Sequence, residues 1–177
     1  MRILLLVLAN LSTTLCAQNI ALRSSGTLLA TLSPNIEVSG TLTKKMTVHL
    51  PVIYNPWKLG QNSRMQQLTC MPGARYWFEQ SYLHWFCSAY AVASKFNVGG
   101  FWGHKYRYSG NLYGTGVGFG YSYVLSKQFN LDLEAGAALV WMNAKKSGWE
   151  ESARLYNRIK GWRVIPSKFD VSIVYFF

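Results

Sequence analysis

The stretch Phe169-Asp-Val-Ser-Ile-Val-Tyr-Phe-Phe177 decides the fold. Its odd positions, Phe169, Val171, Ile173, Tyr175 and Phe177, are apolar or aromatic, while Asp170 and Ser172 between them are polar. Side chains of a strand alternate between two faces, so this is a two-faced strand that runs to the last residue. An aromatic row at a free chain end invites edge pairing in water. It suits a strand that closes a barrel against lipid.

Working back from that end, seven more segments alternate: residues 19–29, 35–42, 46–57, 67–79, 84–96, 111–125 and 129–143. In 129–143 the odd positions Phe129, Leu131, Leu133, Ala135, Ala137, Leu139 and Trp141 are apolar, and Asn130, Asp132 and Glu134 oppose them. Met46, Val48, Leu50, Val52 and Tyr54 share one face against Thr47, His49 and Asn55. Leu68, Ala74, Tyr76 and Phe78 do the same against Gln67, Thr69, Arg75 and Glu79. Segments of about ten residues alternating in this way mark a transmembrane barrel. Half the residues are hydrophobic, yet past the first residues no apolar run approaches the roughly 20 residues of a spanning helix. Only helices and closed barrels cross a bilayer, because lipid cannot hydrate free backbone groups. The expected fold is all-β: an eight-stranded antiparallel up-and-down transmembrane β-barrel, preceded by a cleaved signal peptide. Aromatics at 15% of the chain suit the girdles of such a barrel.

The leader is read from Arg2, the apolar run from Ile3 to Ala9 and the small-residue step ending at Ala17. That is the order of a secretory signal over residues 1–17, leaving one barrel domain over 18–177. A rival reading acylates Cys16, but Leu15 stands where a small residue precedes a lipidated Cys. Short turns at Thr43-Lys44-Lys45, Gln80 to Leu83 and Ser126-Lys127-Gln128 alternate with longer loops, the last running from Ala144 to Ser167. Outer-membrane barrels place short turns in the periplasm and long loops outside. The face assignments put Cys70 and Cys87 on opposite faces, so no disulfide is expected. A soluble barrel of lipocalin type would turn the apolar faces inward. The aromatic chain end and the Trp and Tyr near strand ends argue against it.

The segments Tyr54-Asn-Pro-Trp57, Ala74-Arg-Tyr-Trp77, Phe96-Asn-Val-Gly99 and Tyr113-Gly-Thr-Gly-Val117, with the Val174-Tyr-Phe ending, resemble an uncharacterised family of small outer-membrane barrels from Bacteroidota. The resemblance covers the chain past its leader and implies fold and location, because that family is a domain of unknown function. The chain departs from it at Gly73, where a Glu is usual, which leaves Arg75 without an acid two residues away on its own strand. By the same likeness to outer-membrane barrels, the terminal row Ile173, Tyr175 and Phe177 is the signal that the barrel-assembly machinery reads.

The inward faces collect Arg23, Glu37, His49, Arg75, Asp132, Glu134, Lys168 and Asp170. Eight strands enclose only enough room for their own side chains, so these charges must pair with one another. The reading is a salt-bridged polar plug rather than acid–base catalysis, with no cofactor and no metal. A rim enzyme, hydrolase or acyltransferase, would need His104 with Ser109 and Glu150 or Glu151, and no nucleophile motif supports it. A narrow pore is the other alternative. The glycines of Gly114-Thr-Gly-Val-Gly-Phe-Gly120 recur every second residue, so they clear one face of a strand and are not a nucleotide loop.

The net charge is +11, of which Arg2 leaves with the leader. An exported barrel does not meet genomes, so nucleic acid is excluded as a partner. Lys145, Lys146, Arg154, Arg158, Lys160 and Arg163 concentrate in the longest loop. Anionic lipopolysaccharide heads are the partner that suits them, with a surface protein as an alternative. The four-residue spacing of Arg154 with Arg158 and of Leu155 with Ile159 predicts one or two helical turns between Trp149 and Trp162. The chain is expected to be a monomer, integral to the outer membrane.

Overall fold

The computed structural model describes residues 20–59, 63–99, 106–148 and 155–177. In chain order these form β1 (Ile20–Ser25), α1 (Gly26–Ala30), β2 (Asn35–Thr43), β3 (Met46–Leu59), β4 (Ser63–Cys70), β5 (Gly73–Trp77), β6 (His84–Gly99), β7 (Tyr106–Val124), β8 (Phe129–Gly148) and β9 (Leu155–Phe176). Residues 1–17, read as the leader, lie outside the described part.

Every pairing is antiparallel, and the sheet closes on itself because β1 pairs with both β2 and β9 and β2 pairs onward with β3. β4 and β5 form one stave. Both lie between β3 and β6, and the register runs through unbroken, with Cys70 opposite Val52 and Gly73 opposite His49. Pro72 has no N–H to give the ladder, which interrupts it there; its carbonyl still accepts from Ala91 N at 2.9 Å. The result is the eight-stranded closed barrel that the periodicity predicts. Among the described residues no helix is long and apolar enough to cross a membrane.

Four expectations need correction. The first strand, expected over 19–29, is strand only to Ser25. Ser25 then caps a helical turn, its Oγ accepting from Leu28 N at 3.2 Å, and α1 folds across the end of the stave. The loop expected over 144–167 is mostly ladder: β8 continues to Gly148 and β9 begins at Leu155, with Lys145 opposite Arg158. The helical turns expected between Trp149 and Trp162 are extended strand from Leu155 onward, and residues 149–154 lie outside the described part. Interstrand hydrogen bonds satisfy that backbone without help from side-chain periodicity. Finally, Cys70 and Cys87 share the outer face, since Cys70 is paired with outward Ala93 and Cys87 with outward Tyr76 and Phe119. Both are free thiols. Six residues of β6 separate their levels, about 20 Å of strand, which no disulfide spans.

The outer face is apolar. Ile36, Val38, Val48, Leu50, Val117, Phe119, Leu133, Leu139, Val164, Val171 and Ile173 are each at least 40% exposed. Trp77, Phe86, Val140 and Val174 on the inner face are at most 2% exposed. A soluble barrel inverts that order.

Candidate functional site

The lumen is built in three layers. The lowest is an aromatic cork of Trp77, Tyr82 and Phe86 with Ala21, Val174 and Phe176. Tyr82 comes from the turn between β5 and β6, held at φ 68. That left-handed conformation is strained for a residue with a bulky side chain. It swings the ring under the barrel, 5.4 Å from Trp77 and 4.9 Å from Phe176. The turn stays tucked because Asn130 Nδ2 donates to the Tyr82 carbonyl at 2.7 Å and the Tyr82 hydroxyl bonds Ser39 Oγ at 3.2 Å.

Above the cork lies the ionic layer. Arg75 reaches across from β5 to β2, donating to both oxygens of Glu37 at 2.5 and 3.1 Å, and to Glu134 Oε2 on β8 at 3.0 Å. Arg23 Nη1 donates to the same Glu134 oxygen at 3.1 Å, and Lys168 Nζ to Glu134 Oε1 at 2.8 Å. Asp132 Oδ2 lies 3.6 Å from Arg23 Nη1 and accepts from Ser122 Oγ through its other oxygen at 2.5 Å. Asp170 accepts from Ser25, Thr27 and Ser172 and lies 3.6 Å from Arg23 Nη2. Seven of the eight residues read as the lumenal network are thus joined. The eighth, His49, is buried in the lumen but stands outside the hydrogen bonds, with neither ring nitrogen finding a partner. Its Nε2 lies where a side chain on Gly73 would go, 2.9 Å from that notional Cβ.

The sequence reading missed what completes these bonds. Ser88, on β6, donates to Glu134 Oε1 at 2.8 Å. Gly118 leaves the space Ser88 uses, because a Cβ there would stand 2.6 Å from Ser88 Oγ. Gly116 and Gly120 likewise admit the rings of Tyr90 and Phe86. The glycine row is therefore the inner surface against which β6 packs its bulk.

The top layer is apolar, which the expectation of a polar plug did not include. Ile53, Met71, Tyr90, Val92, Leu112, Ala138 and Val140 form a cluster joined by Leu28 of α1, Phe96, Met142 and Ile165. Beside it, between α1 and β9, is a cavity of about 90 Å³.

The cations split between two faces. Lys145, Arg158 and Lys160 share the outer side with the edge-to-face pair Trp141 and Trp162, whose ring centroids are 5.5 Å apart. A bulge between Gly136 and Ala137 shifts the parity of β9, so Arg163 lies opposite buried Val140 and on the lumenal side. Lys146 is lumenal too, 5.9 Å over the Tyr108 ring. Arg154 lies outside the described residues, as do His104, Glu150 and Glu151 of the rim-enzyme reading, while Ser109 is exposed on β7 opposite Lys145. Ile173, Tyr175 and Phe177 share the outer face, with Tyr175 between Phe129 at 5.2 Å and Phe177 at 5.0 Å.

A family model described as a protein of unknown function, DUF3575, matches residues 3–177. The chain belongs to the DUF3575 family. No curated protein and no solved structure matches it. The DUF3575 description carries no reaction and no ligand, so the role of this chain has to be argued from its surfaces.

Proposed function

We propose that this DUF3575 protein is a monomeric, integral outer-membrane barrel whose lumen is held shut by its own ion pairs and whose basic outer rim binds the anionic heads of outer-leaflet glycolipid. It has no catalytic duty. The observation that carries the first part is the uncharged outward belt. Tyr113 and Tyr123 bound it on β7, ten residues apart. That is about 33 Å of strand, or roughly 25 Å of height at the usual tilt near 40°, the thickness of a lipid-facing band.

The rim supports the second part. Lys145 and Arg158 are directly opposite each other, and Lys160 is one pair below, beside Asn143. Together they concentrate positive charge on the outer side above Trp141 and Trp162, which attracts an anionic surface. Replacing Lys145, Arg158 and Lys160 together with Gln should leave the barrel folded and weaken lipopolysaccharide binding several-fold. The wild-type affinity should fall steeply as salt rises past the point where screening reaches about 10 Å. Equal binding by the triple variant at low salt would remove the rim from the account.

A further inference from the structure

The wall is incomplete on one side. β9 begins at Leu155, yet β1 pairs with it only from Ser172 to Phe176. β3 continues to Leu59, yet β2 pairs with it only as far as Ile53. Between the upper parts of β9 and β3 the place of a strand is taken by α1 and the turn after it. They are tied to the wall by side-chain and turn hydrogen bonds in place of a ladder: Thr27 Oγ1 donates to the Phe169 carbonyl at 3.2 Å and to Asp170 Oδ1 at 3.1 Å, Trp57 Nε1 to the Leu32 carbonyl at 2.5 Å, Asn55 Nδ2 to Ser33 Oγ at 3.0 Å, and Tyr54 N to the Pro34 carbonyl at 3.0 Å. No residue of α1 is buried.

The cavity of about 90 Å³ lies at this seam. Its outer lip is Ile36 and Phe169, which face outward at 52% and 83% exposure. Leu28, Ile53 and Met71 line the cavity, and so, on the lumenal side, do Arg23, Glu37, Lys168 and Asp170. Arg23 is 3% exposed; its Nε makes no hydrogen bond, and its Nη2 makes none beyond the ion pair with Asp170 Oδ2 at 3.6 Å. A buried guanidinium whose Nε–H has no acceptor, beside a cleft with apolar walls, favours a hydrogen-bond acceptor. The neighbouring charges say which acceptor. Around Arg23 stand Glu37, Asp132, Glu134 and Asp170, against the cations of Arg23, Arg75 and Lys168. Carboxylates already outnumber cations, so a further anion is repelled. Nor is a cation suited to donors.

We propose that the seam is a lateral portal, in which a single-chain amphiphile with a small, uncharged, hydrogen-bond-accepting head, such as a fatty ester, seats its head at Arg23. Its first methylenes lie against Leu28, Ile53 and Met71. The chain leaves between Ile36 and Phe169 into the bilayer. The volume suits the head: a dry cavity of about 150 Å³ takes the six carbons of benzene, so about 90 Å³ takes an ester group, with the methylenes following along the open side toward the mouth. The inference rests on the reading of the outer face as lipid-facing.

The test uses the full chain in lipid nanodiscs with labelled Ile, Leu and Met methyls. Contacts between lipid chains and the methyls of Leu133 and Ile173 check the membrane reading separately. Methyl laurate should shift the Ile53 and Met71 methyls saturably, while laurate and dodecyltrimethylammonium bind at least threefold more weakly. Leu28→Trp, which fills the cleft, should abolish the shift. Ile36→Trp should block the mouth without touching the lumen, and it covers the case in which Leu28→Trp does not fold. The portal is overturned if Ile53 and Met71 shift no more than Leu133 and Ile173, or if the response survives in a folded filled variant. Tighter binding of laurate overturns the head assignment.

Discussion

At Glu134 one carboxylate accepts from Arg23, Arg75, Lys168 and Ser88 at 3.1, 3.0, 2.8 and 2.8 Å, with its side chain 1% exposed. Removing one partner of a buried ion cluster strands the others, which costs about 3–5 kcal/mol. Glu134→Gln should therefore destabilise the barrel by that amount in a urea titration in lipid vesicles. Ser88→Ala, which deletes one hydroxyl from a carboxylate with three other donors, should cost about 1–3 kcal/mol. A smaller loss for Glu134→Gln than for Ser88→Ala would mean that the layer is not centred on Glu134. Gly116→Ala puts a Cβ 2.5 Å from the Tyr90 ring, and overpacking of this kind costs about 1–3 kcal/mol. The charged members of the layer were legible in the sequence, because a charge on the inner side of an alternating strand has nowhere else to go. Their matching was not. Arg75 has no acid on its own strand and finds Glu37 and Glu134 from two others, and only the closed register shows that.

Elements were legible where one face is apolar and exposed and the other lines a polar lumen, as in β8 from Phe129 to Trp141. Periodicity failed where both faces met the same medium. The upper ends of β8 and β9 stand beyond the apolar belt and read as loop, because Lys145, Lys146 and Lys160 are equally suited to either side. β6 is the opposite case: Trp85, Cys87 and Ala89 face out while Phe86, Tyr90 and Val92 face an apolar part of the lumen, so the pattern carries no sign and does not show that Cys87 shares the face of Cys70. α1 was missed because Ser25-Gly26-Thr27 can extend a strand as well as cap a turn. The face assignments predict a depth dependence. Lys at Leu133 or Ile173, outward near mid-strand, should cost about 2–4 kcal/mol, against about 0–1 for Lys at the turn residue Leu125. Equal losses at the three sites in a reversible unfolding titration would contradict the belt.

At the scale of the molecule, the aromatic cork and the ionic layer both lie across the axis of the barrel. Trp77 is 4.6 Å from Phe86 and 5.4 Å from Tyr82, and Arg75 spans from β5 to both β2 and β8. Purified protein in planar bilayers should show no steady unitary conductance above leak, and discrete reproducible steps would mean that this closure opens. The central claim, that the apolar outer face meets lipid around a closed lumen, is tested most directly by a nitroxide scan of β8. With Cys70 and Cys87 replaced by Ser, single labels at Leu133, Ala135, Ala137 and Leu139 in lipid vesicles should collide readily with oxygen and be shielded from a water-soluble nickel chelate, most strongly at the middle of the run. Collision with the chelate at all four positions, as freely as at a label on exposed Lys127, would contradict the account.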